Sequence, residues 1–297
     1  MSGTADLRDH ALLQPIEGVR GDDPRRHRFL FSPWHLLLFP LALVMVVPMI
    51  WMLITSFETL NETRHFPPIL IPSGIRWQNY TAVLQQAPFA RWFLNTLIVT
   101  VVVVAGNLLF CSLAGYAFAR IKFFGRDVVF ILVLATLMIP FQVIIIPTFL
   151  IVRKLGLIDT LGALIVPNLA GAFGIFLLRQ FFRSLPIELE EAARIDGATR
   201  LGILFKIVLP LSGPVLATVA VMTFLWTWND FLWPLVTLYS PNNMTLQLGL
   251  TTFQGAHQTN THLLMAANVM SMLPVLLLFF AAQRFFIRGI ATSGLKG

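Results

Sequence analysis

Charge is what this sequence has least of. Asp, Glu, Lys and Arg make up 12 % of its 297 residues, about half the ~25 % of a typical soluble domain. That excludes an ordinary water-soluble enzyme, and a disordered chain would need far fewer apolar residues. There is one cysteine, Cys111, so no internal disulfide can form. The four lysines follow Ile121, Arg153, Phe205 and Leu295. The Gly-Lys pair of a phosphate-binding loop is therefore missing, and any ATP used must be hydrolysed by another chain. No His-Glu-x-x-His and no Gly-x-Ser-x-Gly occurs, which removes the usual metalloprotease and serine-hydrolase signatures. His257 and His262 stand five apart, off the i+4 spacing that sets two metal ligands on one helical face, and read as exposed loop residues. What is abundant is apolar: 57 % of residues are hydrophobic and the mean hydropathy is +0.77. These residues fall in blocks of about 20, the length that crosses a ~30 Å hydrocarbon core as a helix.

Six segments qualify as spans: Leu36–Phe57, Leu94–Ala119, Val128–Leu150, Leu161–Leu178, Leu211–Thr237 and Leu263–Gln283. They predict an all-α polytopic membrane protein with six transmembrane helices. None of the six contains Lys or Arg, and their interiors hold one acid, Asp230. Residues 1–35 are polar, with five Arg and five acidic residues, and read as a disordered tail. The first apolar block starts too late, and lacks the small-residue site, for a cleaved signal peptide, so it reads as a retained anchor. Sixteen of the 21 Lys and Arg fall in the tail, the second and fourth loops and the C-terminus; five fall in the alternate loops. The positive-inside rule then places both termini in the cytoplasm. The net charge of +7 thus reflects membrane orientation rather than nucleic-acid binding.

The fourth loop, 184–210, reads SLPIELEEAARIDGATRLGILFKIVLP. Ser184 suits an N-cap, and Glu188, Glu190 and Glu191 crowd the positive end of a helix dipole. Leu185, Leu189, Ala192 and Ala193 share one face, and Gly197 is a natural stop. Thr199 suits the cap of a second helix whose Leu201, Leu204, Phe205 and Val208 share a face, and Pro210 ends it. Two short amphipathic helices with a glycine hinge follow, which taken alone fit an interfacial connector between spans.

The residues themselves say more. Glu191-Ala192-Ala193, then Gly197, then Ile207, Leu209 and Pro210 resemble at every fixed position the EAA loop of ABC importer permeases. The chain is similar to the carbohydrate-uptake branch, in the manner of the second permease of maltose-type systems. The resemblance runs over 33–297, leaving 1–32 as a cytoplasmic tail. Gly115-Tyr116-Ala117-Phe118-Ala119-Arg120, Asp196-Gly197-Ala198 and the terminal Gly294-Leu295-Lys296-Gly297 also look like that branch. The resemblance implies the type I importer permease fold, a bacterial-type inner membrane location, a second permease subunit, two cytoplasmic ATPase subunits that bind ATP and Mg, and an extracytoplasmic solute-binding protein. No cofactor is implied for this chain. It also implies that the loop docks on an ATPase subunit through Glu190, Glu191, Ala192, Ala193, Asp196, Gly197, Ile207, Leu209 and Pro210.

A substrate path is expected in the fifth span, where Thr223, Thr227 and Asp230 recur at i, i+4 and i+7 beside Trp226. Sugars offer hydroxyls to carboxylates and threonines, and apolar faces to aromatic rings. At 1.5 Å per residue, a continuous helix sets Asp230 ~30 Å from Pro210. An interfacial aromatic belt is the other reading of these residues. The corresponding helix of the paired permease in maltose-type systems carries sugar contacts, and matching the loops brings these onto Thr223, Thr227 and Asp230. Gln142, Asn168 and Asn268 are expected to hydrogen-bond between helices, and Ala170-x-x-x-Gly174 to support a close helix contact. An ion-coupled secondary transporter would need more intramembrane acids and paired broken helices, and a non-transporting scaffold would have no ATPase partner.

Overall fold

The structure, a computed structural model, describes residues 34–255 and 259–293, with side chains through 283. The tail 1–32, His257 and the terminal 294–297 lie outside the described residues. The chain divides into two units, 1–48 and 49–297.

The described part of the first unit is helical and forms the beginning of α1 (Trp34–Thr55). It is apolar on every side, and all its described side chains are exposed in the isolated chain. A helix with no polar face belongs in lipid or against another apolar surface.

The regular structure of the second unit is helical, and its described residues form no strand beyond one isolated bridge between Gln254 and Thr259. After α1 come α2 (Gln78–Gln86) and the 32-residue α3 (Phe89–Arg120). Next are α4 (Arg126–Ala135), α5 (Phe141–Lys154), α6 (Gly162–Ile165) and α7 (Ala172–Ser184). Then follow α8 (Glu188–Ile195), α9 (Arg200–Ile203), a π-helical turn over Leu204–Val208, α10 (Leu209–Leu211) and α11 (Gly213–Trp228). The chain closes with α12 (Leu232–Thr237), α13 (Leu246–Leu250) and α14 (Thr261–Ser293). Among the described residues, four helices are long and apolar enough to cross a membrane: Trp34–Thr55, Phe89–Arg120, Gly162–Ser184 and Thr261–Gln283. Two bent pairs bring the number to six if each is one span.

Those bent pairs correct two expected spans. Val128–Leu150 is not one rod: α4 and α5 meet at 107°. The break falls at Ile139, whose backbone is extended, as steric conflict with the ring of Pro140 demands of the preceding residue. The expected span Leu211–Thr237 is helical as α11 for 16 residues only. It bends 84° from the preceding segment at Ser212 and breaks again over 229–231 before α12.

α3 is the central rod, and α7 and α11 pack along it. Gly115 permits the contact with α7: a Cβ there would lie 3.1 Å from the Arg179 backbone N and the Leu178 Cβ. Gly174 approaches α3 in the same way, with Cys111 Sγ 3.0 Å from where its Cβ would be. Of the expected Ala170 and Gly174 pair, Gly174 makes the close approach, while Ala170 lies before α7 begins. Three apolar cores stack along the rod. Around its start lie Trp92, Trp228, Leu246 and Leu263; in its middle Val99, Val103, Leu164 and Trp233; at its end Tyr116, Leu178, Phe182, Leu204 and Val208.

Candidate functional site

Two regions carry the expected chemistry, one at each end of α3. At the end marked by Arg120, α8 lies outside the spans. Ser184 does not cap it: Ser184 closes α7 and bonds back to Phe181 O, and α8 starts after Ile187. The other end of α8 is built as expected. Gly197 takes φ +81°, its amide donates to Arg194 O at 3.0 Å, and the Ala198 amide donates to Ala193 O at 2.9 Å. This pair of bonds is a Schellman motif, and the left-handed conformation is one that glycine adopts without strain. Thr199 then caps α9, accepting from the Gly202 amide at 3.1 Å.

The faces of these helices differ from expectation. α8 buries Glu190 and Ala193, while Leu189, Glu191, Ala192 and Asp196 are exposed and Ile195 is 87 % exposed. Glu190 points inward, onto Arg120 Nε at 2.7 Å and the Tyr116 hydroxyl at 2.9 Å, so it offers no free carboxylate to a partner. The reason is that α3 ends directly beneath α8 with a cation and a phenol, and these outweigh the apolar pattern. In the following segment Ile203, Leu204 and Val208 are buried, Ile207 and Leu209 half-buried and Pro210 exposed. Leu201 and Phe205 are exposed instead of joining Leu204 in the core. The outward surface is thus mixed: Glu191, Ala192, Ile195, Asp196 and Gly197, flanked by Leu189 and Leu201.

At the other end, a cavity of about 250 Å³ opens among α3, α5, α11 and α12. Thr96 and Val99 come from α3, Phe141 from α5, Asn168 from the turn before α7, and Thr245 from the segment before α13. The break after Trp228 contributes Trp226, Thr227, Asp230 and Trp233. Trp226 is 59 % exposed and meets Phe173 edge to face. Asp230 does not continue the face of α11, as the helix has already ended. It accepts a long 3.4 Å bond from the Trp233 amide at the start of α12. The Thr245 hydroxyl is buried without a hydrogen-bond partner. Thr223 is buried and lines a neighbouring cavity of about 120 Å³, which shares Asn168, Trp226 and Thr227 with the first.

Thr96, Thr245 and Phe141 line the cavity without having been expected there, and Trp233 joins them from the end of the polar and aromatic stretch that starts at Thr223. The side chains expected to hydrogen-bond between helices do not do so: Asn168 and Asn268 donate to carbonyls four residues back, and it is the Asn107 side chain that crosses, donating from α3 to Asn168 O. Gln142 is exposed. His262 is half-buried in the first turn of α14 rather than in a loop.

The loop beyond the cavity is tied down by acceptors and amides. Asp159 Oδ1 accepts from the Tyr239 and Ser240 amides at 2.9 Å each, Oδ2 accepts from the Ser240 hydroxyl, and Asn243 donates to Asp159 O at 2.6 Å. The Ser240 hydroxyl, then its amide, hold the Asp159 carboxyl down at about 2. Trp92 reaches Pro241 O at 2.7 Å, and Asn95 reaches Asn242 O and Met244 O at 2.8 and 2.9 Å.

A membrane-spanning helical protein that keeps a polar cavity between its helices, with a capped helix exposed beyond them, is built as a solute permease. The comparisons specify which kind. The chain belongs to the family of binding-protein-dependent transport system inner membrane components, matched over residues 108–292. It is 40 % identical over 260 residues to the arabinooligosaccharides transport system permease protein AraQ of Halalkalibacterium halodurans, covering 86 % of this chain and 93 % of that protein. It is 35 % identical over 288 residues to the sn-glycerol-3-phosphate transport system permease protein UgpE of Pectobacterium atrosepticum, covering 94 % and 99 %. Its fold is similar to a chain in the crystal structure of a bacterial ABC transporter involved in the import of the acidic polysaccharide alginate. The TM-score is 0.76 at 29 % identity, over 86 % of this chain and 99 % of that one. A likeness to the MetNI methionine ABC transporter, TM-score 0.53 at 22 % identity over 68 % and 95 %, concerns the fold alone. The chain is therefore an ABC transporter permease of the type I importer fold, a multi-pass membrane component.

Proposed function

We propose that this permease carries a carbohydrate or carbohydrate-like solute (a sugar, an oligosaccharide or a glycerophosphodiester) into the cell, driven by ATP through alternating access. Its partners are a second permease subunit, two cytoplasmic ATPase subunits docking on the surface around Glu191, Ala192, Ile195 and Asp196, and an extracytoplasmic binding protein. Both termini lie in the cytoplasm, which the distribution of Lys and Arg supports.

The observation that carries this reading is the composition of the cavity. It sets hydroxyl, amide and carboxylate groups (Thr96, Asn168, Thr227, Asp230, Thr245) against indole and phenyl rings (Phe141, Trp226, Trp233). Ligand sites combine mostly apolar walls with a few placed polar groups, and a pyranose needs both: rings for its C–H face and acceptors or donors for its hydroxyls. The unpartnered Thr245 hydroxyl is suited to such a contact, since a buried polar group gains from a hydrogen bond it otherwise lacks. The relatives named for arabinooligosaccharides, glycerol 3-phosphate and alginate point to the same chemical class.

The test uses the complex of this chain with its partner permease, ATPase subunits and binding protein, reconstituted in lipid. Arabino-oligosaccharides, alginate oligosaccharides, glycerophosphodiesters and methionine are added in turn and ATP hydrolysis is measured. Stimulation by a member of the carbohydrate set is expected. Stimulation by methionine alone would overturn the solute class. Orientation is read in the same preparation: a cysteine placed at Asn242 should react with an impermeant thiol reagent from outside, and one at Arg200 should not.

A further inference from the structure

The segment Gly115–Arg120 takes no part in the cavity, yet it makes the densest polar contact with the exposed helix α8. The Tyr116 hydroxyl donates to Glu190 Oε2 at 2.9 Å, Arg120 Nε stands 2.7 Å from Glu190 Oε1, and Arg120 Nη2 donates to Leu185 O at 2.6 Å. Glu190 is 2 % exposed and Tyr116 3 %. Arg120 and Glu190 touch as an ion pair without an aligned N–H···O bond. A buried ion pair is a poor way to gain stability, because removing two charges from water offsets most of their attraction, and apolar replacements of similar volume often do as well. Its best-attested use is to fix a register or hold a switch.

The routes leaving α8 explain what would need fixing. Along the backbone, α8 reaches the cavity through the Gly197 turn, the four-residue α9, a π-helical turn and the 84° bend at Ser212. Each is a place where a chain can flex. Through the Glu190 contact, α8 is fastened to α3, one helix of 32 residues with no proline. The same helix lines the cavity with Val99 and Thr96, ~30 Å along the axis from Tyr116 at 1.5 Å per residue.

We propose that Arg120 and Tyr116 are positioning residues that latch Glu190, so that displacement of α8 by an ATPase subunit is delivered to the cavity wall through α3 rather than along the chain to α11. This rests on the function proposed above. The latch adds a polar joint to the apolar packing of Ala193 against Tyr116, Leu178 and Phe182, and it leaves the outward face of α8 free for the partner. A latched α8 moves α3 as a lever, while an unlatched α8 can follow the ATPase with the slack taken up at Gly197 and Ser212.

The test compares solute taken up per ATP hydrolysed in the reconstituted complex, with copurification of the ATPase subunits measured alongside. Glu190→Gln and the apolar pair Arg120→Met with Glu190→Met should both insert, retain the ATPase subunits and keep basal hydrolysis. Uptake per ATP should fall at least tenfold. Tyr116→Phe, which removes one oxygen, should lower it several-fold. Wild-type coupling in the Met pair, or in both Glu190→Gln and Tyr116→Phe, overturns the latch. Should the unmutated chain fail to retain the ATPase subunits at all, the functional reading fails first, and the two failures are thereby told apart.

Discussion

The two ends of α3 solve different problems with different means. At the Arg120 end, nearly every structural device lies within one continuous stretch, 184–210: a stop glycine in a Schellman motif, a threonine cap, an apolar patch and a run of acids. At the Thr96 end, the cavity draws one or a few residues from each of several distant segments, and its most polar wall is a place where a helix stops. The first end is a local object presented outward, and the second is a space that exists only once α3, α5, α11 and α12 have packed. The lesson is that an exposed surface can be encoded in one segment, whereas an enclosed space needs several walls.

That difference can be broken by substitution. The largest effect is expected at the local end from Gly197→Pro. Proline fixes φ near −65° and has no amide, while Gly197 sits at +81° and donates to Arg194 O. The turn cannot form, so retention of the ATPase subunits should fall more than tenfold while the spans stay inserted. Copurification measures this, and Gly197→Ala should show a milder loss because left-handed strain alone costs roughly 1–2 kcal/mol.

Next comes the enclosed end. Asp230→Ala should lower uptake several-fold to about a hundredfold, since a hydrogen bond is worth about 0.5–1.5 kcal/mol and a charged one about 1.5–3. Retention of the ATPase subunits should not change, because the two ends are separated by most of α3. Trp226→Ala should act in the same direction, whereas Leu225→Ala, outside the cavity wall, should do little. Equal loss from all three would make this region a packing element and erase the contrast.

The smallest effect concerns the tied loop near the cavity. The Asp159 carboxyl is held down at about 2 from 3.8, so its stabilisation is fully present above about pH 4 and is lost as pH falls through 2. Hydrogen exchange at the Tyr239 and Ser240 amides should therefore be alike at pH 7 and pH 5 once corrected for intrinsic rates. Asp159→Asn, which loses the charge that these donors face, should speed it.

How much of this was legible follows from the same contrast. The Thr199 cap and the Gly197 stop were readable because caps are local chemistry within four residues. The inward turn of Glu190 was not: the helical pattern favoured Leu189 and Ala192, and only the arrival of Tyr116 and Arg120 from 70 residues away reversed the choice. Likewise Thr223, Trp226, Thr227 and Asp230 were expected along one face of an unbroken helix; Trp226, Thr227 and Asp230 line the cavity, while Thr223 faces its smaller neighbour. The real wall forms because α11 ends at Trp228 and the chain turns.

The sequence by itself determined the membrane class, the approximate positions of the apolar spans, and the glycine stop and threonine cap that follow α8. Those rest on length, on hydropathy and on contacts between near neighbours in the chain. The extended backbone at Ile139 is the local consequence of Pro140, whereas the tertiary structure alone decided the stop after Trp228, the burial of Glu190 and the recruitment of Thr96 and Thr245 to one cavity. Each depends on which helices lie against one another. No periodicity along a single segment carries that information, because the free energy that selects it is spread over contacts between residues far apart in the chain.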